Sequence, residues 1–287
     1  MGELFERVLS PQVMDLAWRR LRSDKAVWEP GMPRSEMERN LVMHLLDLRD
    51  EVRDRRYRPA PLRQFPVPKG DGRLRILSAL SLRDKLLQRA VLTVLEPTAE
   101  ALFHHDSFGY RPGRNVDMAL RRVQERVACG LIWLVDADIR GFFDRIPHRP
   151  LRKILKERIP DRDVLGLIDA WLAMGPSQAS IFEARRGIPQ GAILSPILCN
   201  LYLHELDRAL SDKNLPFVRY ADDFIVFTPE QKTAEKALRF VADRLRDLGL
   251  DLHPEKTRVI ESGPGFSFLG RPLPRPPKPA ASKARER

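Results

Sequence analysis

The sequence predicts an α+β fold in which an antiparallel sheet is backed by helices, and three features of the chain carry that expectation. Two apolar runs within 217–227 flank a short polar break, as in a β-hairpin. A third apolar, β-branched run occupies 131–139, and segments opened by helix-capping residues lie on either side of it. With 287 residues and 43% hydrophobic content the chain can bury a full core, as one lobed unit or two subdomains. It contains no internal repeat.

Taken in order, Ser10-Pro11 supplies a cap and a first-turn proline for a helix over Val13–Leu21. Ser35-Glu36-Met37-Glu38 reads as a capping box before a helix over Leu41–Val52. Gln64–Val67 and Leu74–Leu77 are short extended runs around the turn Gly70-Asp71-Gly72, with Lys69 and Arg75 flanking it. Asn115 can cap a helix over Val116–Val127. In the run Leu131–Ile139, alternation puts Asp136 and Asp138 on one face with Ile132 and Leu134 behind them. Either acid could be a ligand on periodicity alone. Arg186–Pro196 is a loop rich in Gly and Pro, and Ser195-Pro196 caps a helix running through Leu201 to about Leu210. Phe217-Val218 and Phe224–Phe227 form the hairpin arms, and a helix follows over roughly 233–248.

Between those arms stands Tyr220-Ala221-Asp222-Asp223. Adjacent carboxylates repel unless a cation lies between them, although Asp-Asp is also ordinary turn chemistry. The company the pair keeps decides between the two: the order is acidic strand, Gly-Gln loop, helix, acidic hairpin.

Asp138-Ile139-Arg140-Gly141-Phe142-Phe143-Asp144, Pro189-Gln190-Gly191 with Ser195-Pro196, and Tyr220-Ala221-Asp222-Asp223 resemble the successive palm motifs of reverse transcriptases, above all the bacterial group II intron-like enzymes. Pro68–Gly72 with Arg73–Ile76, Leu95-Glu96-Pro97, Ser107–Arg114, Glu255–Arg258 and Phe268-Leu269-Gly270 follow in the family's order, so the resemblance covers roughly 55–270. It implies right-hand polymerase fingers and palm. A helical extension would occupy 1–60, fingers 61–130, and a palm 131–270 with finger helices near 150–185. In the extension, Trp28–Pro33 replaces the Gly-rich, Asp-containing turn usual in the family.

The resemblance also implies RNA-directed addition of deoxynucleotides to a primer 3′ hydroxyl, an in-line displacement assisted by two Mg²⁺ ions roughly 3.5–4 Å apart, with Mn²⁺ a workable substitute. Asp138, Asp222 and Asp223 become the catalytic acids, and together with Ile139 the metal ligands. Asp222 takes the larger metal role, and Asp136 and Asp144 remain supporting or surface acids. The implied nucleotide pocket comprises Lys69 and Arg75 on the triphosphate, Phe143 against the sugar, Gln190 and Gly191 on the template side, Tyr220, and Lys256 near the pyrophosphate. Without the resemblance, Phe143 reads as core and Lys69 and Arg75 as solvated cations. Arg111, Arg114, Phe268, Leu269 and Gly270 are assigned to template and primer. The implied partners are an RNA template, a DNA or RNA primer and dNTPs.

Composition agrees with a phosphate-binding protein: the formal charge is +11, of which +5 lies in 271–287. With Pro272, Pro274, Pro276, Pro277 and Pro279 that segment reads as an extended or disordered tail, a source of non-specific RNA affinity or a solvated end. Cys129 and Cys199 form no ligand set, no apolar run reaches the ~18–20 residues of a membrane span, and Glu3 and Glu6 do not open a signal peptide. A cytoplasmic setting without membrane is expected. A Pro-rich tail cannot fold into a helical thumb, so weak processivity, or a protein or RNA partner supplying the thumb function, is expected. So is a CRISPR-associated or phage-defence role rather than autonomous intron mobility. Other readings are a template-independent or DNA-templated polymerase of a defence system, and a non-catalytic RNA-binding scaffold.

Overall fold

Helix caps legible in the sequence set several elements of the computed structural model, which describes residues 2–68, 74–174 and 185–273. Lys69, the Gly70-Asp71-Gly72 turn and the tail beyond Leu273 lie outside the described residues. Helix α1 (Glu3–Val8) leads into α2 (Pro11–Leu21), whose N-cap Ser10 accepts a hydrogen bond from the Val13 amide. The capping box expected at Ser35 is a misreading. Ser35 lies inside a short helix α3 (Arg34–Arg39), because Pro33, fixed in an extended conformation, starts that helix earlier and an Arg34–Glu38 ion pair at 2.7 Å ties its turns. Asn40 then breaks the chain before α4 (Leu41–Arg53).

Strands β1 (Arg63–Pro68) and β2 (Leu74–Ala79) pair antiparallel from Arg63 with Ala79 to Pro68 with Leu74. Helix α5 (Leu82–Leu102) follows, capped by Ser81 and carrying Pro97 inside it. Helix α6 (Val116–Ala128) is capped by Asn115, which accepts from the Met118 amide as expected. Then come β3 (Trp133–Ala137), α7 (Phe142–Arg145), α8 (His148–Arg158), α9 (Arg162–Ala173) and α10 (Ser195–Asp212). The chain continues with β4 (Phe217–Tyr220), β5 (Asp223–Thr228), α11 (Gln231–Asp247), β6 (Arg258–Glu261) and the short pair β7 (Ser267–Phe268) and β8 (Arg271–Pro272).

These elements form two compact units, each discontinuous in sequence: 1–103 with 141–203, and 104–140 with 204–287. In the first, α2 packs along α5, and α5 buries Leu82, Leu86, Leu87, Ala90 and Val91 completely. A hydrogen-bonded set centred on Asp84 ties its N-terminus down: Tyr57 and Ser81 hydroxyls donate to it at 2.6 and 2.7 Å, and Trp171 donates in turn to Tyr57. In the second unit the sheet order is β4-β5-β3-β6, antiparallel throughout. Helix α11 covers β3, β5 and β6, and α6 lies against β4. Leu134, Val218, Ile225 and Phe227 are each 0% exposed, which defines a core between sheet and helices.

Candidate active site

The acid turn is the tip of the β4–β5 hairpin. Tyr220 pairs with Asp223, leaving Ala221 and Asp222 as a two-residue loop. Ala221 has φ 58°, a left-handed conformation that costs a non-glycine residue about 1–2 kcal/mol. The segment 106–109 backs this turn: the Phe108 amide donates to the Arg219 carbonyl at 2.8 Å, and the Arg219 amide donates to the Asp106 carbonyl at 2.9 Å. Gly109 comes so close that a Cβ would sit 2.2 Å from the Ala221 nitrogen.

Strand β3 brings the third acid. Its register with β5 runs to Ala137 opposite Phe224, so one further residue along each strand sets Asp138 beside Asp223. On the opposite side the His253 amide donates to the Asp138 carbonyl at 2.7 Å and the Arg140 amide to the Asp251 carbonyl at 2.9 Å. These two bonds bracket Ile139 and Leu252, so the Ile139 N–H and C=O point away from Leu252, to the β5 side. The Ile139 side chain itself is buried. Lys256 places its Nζ 3.0 Å from Asp138 Oδ2. Asp136 instead faces Arg258 in register and pairs with it at 3.1 Å. That separates the two acids that periodicity leaves equivalent: Asp136 is answered within the sheet, and Asp138 stands at its end beside the acid turn.

The electrostatics follow from this crowding. Burial raises the Asp222 carboxyl above its ordinary value; its own backbone amide opposes the shift and the Asp138 charge adds to it. Asp223 is pushed up to about 6, first by loss of solvation and then by the charges of Asp222, Asp138 and Asp136. Its side chain still reaches solvent, which screens part of that push, while three neighbouring carboxylates set the direction. Asp136 is raised as well, by burial first, with Arg258 opposing. Carboxylates that favour a proton here would favour a metal cation for the same reason.

Among the described residues, the group whose ligand atoms lie within 4.8 Å of one another is not this triad but His104, His105 and Asp106. Asp106 is already engaged by Arg122 at 2.7 Å and Arg126 at 2.6 Å and is 1% exposed, so that cluster is an ion-pair knot fastening its loop to α6. The ligand atoms of the acid triad are spread more widely than that.

In the first unit the structure gathers another group. The Ile188 amide donates to the Phe143 carbonyl at 2.7 Å, Gln190 Nε2 donates to Asp144 Oδ1 at 3.0 Å, and the Ser78 amide donates to the Gln190 carbonyl at 2.8 Å. Gly191 has φ 97°, and a Cβ there would meet the Ser78 carbonyl oxygen at 2.8 Å. Phe143 is half-buried and stacks edge-on against Phe142, and Arg75 is exposed on β2. Phe143, Gln190 and Gly191 therefore form one assembly; Asp138, Asp222, Asp223, Tyr220 and Lys256 form another, in the second unit.

The residues assigned to template and primer divide. Arg111 is buried, its Nη1 donating to the His104 and Ser107 carbonyls at 2.7 Å, so its fork is occupied within its own loop. Phe268 is core, packed with Phe266 and Leu273. Arg114 lies over the Phe108 ring and is half-buried. Leu269 (φ 52°) and Gly270 (φ 74°) form the two-residue turn between β7 and β8, with both φ values positive as a type I′ turn requires.

Two residues escaped the sequence reading. Arg219 and Asp207, 1% and 0% exposed, form an ion pair directly behind the acid turn. The signal was present in Phe217-Val218-Arg219-Tyr220, since a charge inside a buried apolar strand demands a buried partner.

An antiparallel sheet with acids at one strand end and on the neighbouring hairpin turn is the arrangement of a nucleotide-polymerising palm. The chain belongs to the reverse transcriptase (RNA-dependent DNA polymerase) family, whose model matches residues 67–273. YkfC of Escherichia coli K12 is 30% identical to it, over 94% of this chain and 82% of its own length. The group II intron-encoded protein LtrA of Lactococcus lactis is 30% identical over 90% of this chain, which spans only 42% of that protein. Among solved structures, a chain of a partial Cas6-RT-Cas1–Cas2 complex aligns with TM-score 0.50 and 24% identity over 85% of this chain and 43% of its own. Apo telomerase from Candida tropicalis, truncated from its C-terminal domain, aligns with TM-score 0.55 and 17% identity over 73% and 52%. The fold is that of right-hand polymerase fingers and palm. No helix among the described residues is long and apolar enough to cross a membrane.

Proposed function

We propose that this chain is an RNA-directed DNA polymerase and that Asp138, Asp222 and Asp223 are its catalytic acids. The observation that carries the proposal is the convergence of those three residues at one end of a single sheet, with a lysine on Asp138. The donor set suits Mg²⁺, which takes hard oxygen ligands: Asp138, the Ile139 carbonyl and Asp222 would hold it, with Asp223 adding charge beside them. Two such ions, when bound, stabilise the attacking 3′ oxygen and the leaving pyrophosphate. The chain's own residues do the remaining work. Lys256, on a flexible and half-exposed stem, carries a positive charge that can turn from Asp138 to an anionic leaving group. Tyr220 closes the hairpin and packs on the core, holding the turn in place.

In the first unit, Phe143 is proposed to exclude a ribose 2′ hydroxyl, supported by its half-exposed ring on a helix pinned by the Gln190 loop. Gln190 and Gly191 are proposed for the nucleotide and template side, Arg75 and Lys69 for the triphosphate, and Arg114, Leu269 and Gly270 for template and primer. The RNA template, the primer and dNTPs are the proposed partners. For the biological setting we retain a CRISPR-associated or phage-defence system; a neighbouring integrase gene supports it, and a group II intron enclosing the gene removes it.

Primer extension with Mg²⁺ on RNA, on DNA and without template tests the reading. Incorporation that requires RNA template and dNTPs is expected. Template-free synthesis would favour untemplated addition, and RNA binding without synthesis would leave a scaffold. Phe143→Ala should raise ribonucleotide use relative to dNTPs about tenfold or more; unchanged sugar discrimination returns Phe143 to the core.

A further inference from the structure

The Asp207–Arg219 pair occupies a place where stability alone does not explain it. Arg219 Nε and Nη2 reach Asp207 Oδ1 and Oδ2 at 2.8 and 2.5 Å, a bidentate pair between β4 and α10. Removing two charges from water is costly, and such pairs are often replaceable by apolar residues without loss of stability. What an apolar pair could not reproduce is the third arm of the fork. Arg219 Nη1 donates to the Ala221 carbonyl at 2.9 Å, two residues along the chain in the loop that β4 leads into.

That carbonyl belongs to the peptide that ends in the Asp222 N–H, and a peptide unit is planar, so fixing the C=O fixes the direction of the N–H. The Asp222 carboxylate in turn accepts a hydrogen bond from that same amide. We infer that the Asp207–Arg219 pair is a positioning device for Asp222: Asp207 orients the guanidinium, the guanidinium holds the Ala221–Asp222 peptide plane, and the plane aims the carboxylate. Ala221 at φ 58° is then held in its left-handed conformation from two sides, by Arg219 on its carbonyl and by Gly109 against its nitrogen. Neither Asp207 nor Arg219 touches substrate in this scheme. The inference rests on the polymerase reading for its purpose, and on geometry alone for its mechanics.

Lysine at 219 keeps the charge but has no fork with which to span Asp207 and the Ala221 carbonyl together. Arg219→Lys and Asp207→Asn would be compared with the parent chain and with Asp222→Asn in three measurements: thermal melting, Mn²⁺ binding followed by electron paramagnetic resonance, and primer extension. The expected result is a folded protein whose Mn²⁺ affinity and incorporation rate both fall about 10- to 100-fold, in the direction of Asp222→Asn. A purely structural pair would lower the melting temperature and leave Mn²⁺ affinity per folded molecule unchanged. That result overturns the inference, and so does failure of both variants to fold. If the parent binds Mn²⁺ through Asp222 but extends no primer, the polymerase reading fails while the Mn²⁺ comparison still decides the positioning role.

Discussion

The β1–β2 hairpin of the first unit stands as a two-stranded sheet with Phe65, Leu74 and Ile76 exposed at 46, 64 and 45%. The β4–β5 hairpin of the second unit is joined through β3 to β6 and buries Phe217, Val218 and Phe224–Phe227 to 1% or less. Both carry residues assigned to the same reaction, yet they differ in how firmly the chain specifies them. A two-stranded hairpin is marginal by itself, so opening it locally is easy. A hairpin inside a four-stranded sheet can hold like charges together and a left-handed alanine at its tip, because many other contacts constrain it. The two hairpins are thus two kinds of surface: one able to yield, and one already set.

The strongest way to break this contrast is through the fixed hairpin. Asp222→Asn should reduce incorporation by about 10³-fold or more while the melting temperature stays within a few degrees, since volume is kept and carboxylate repulsion is relieved. Primer extension within about tenfold of the parent would take Asp222 out of the mechanism. Phe227→Ala, at the centre of the same hairpin, should cost about 3–5 kcal/mol in urea unfolding. A cost below about 1 kcal/mol would mean that the hairpin is less constrained than its burial implies.

A smaller effect is expected from pH. The carboxyl of Asp223 is raised from 3.8 to about 6 in the folded chain, so the folded state holds a proton that the unfolded state lacks between those values. Without metal, stability should therefore rise as pH falls from above 6 toward 4, the reverse of the usual acid loss. Stabilisation by Mg²⁺, which competes with that proton, should be present at pH 7.5 and fade near pH 5 in thermal melts. Mg²⁺ stabilisation equal at both values would detach Asp223 from the site. The least effect belongs to the exposed hairpin, where Ile76→Ala should change stability by less than about 0.5 kcal/mol; a core-sized loss would show that its apolar face is covered in solution.

The acid hairpin was legible because two continuous apolar runs around a short polar break are a local signal, and the strand leading to Asp138 was legible as a third apolar, β-branched run. Helix α5 was not, since Pro97 within an apolar stretch reads as a terminator and the helix lacks a clear polar face. Strand β6 was missed because Arg258–Glu261 is too short to show alternation, although it supplies Arg258, the residue that distinguishes Asp136 from Asp138. The approach of Lys256 to Asp138 joins positions 118 residues apart and has no local signature. At Ser35 the local signal was real and lost to a nearer one, Pro33. Local rules located the acids; partners brought in from distant segments gave Asp136 and Asp138 their different surroundings.

Because a methyl group at position 109 would intrude on the Ala221 nitrogen, the tolerance of that site to change is governed by a residue with no side chain to carry a proton or hold a metal. A selection scored only by DNA product would flag Gly109 beside the aspartates and invite a chemical role for it. Its contribution is vacancy: the space a side chain would fill is where the polymerase keeps its turn.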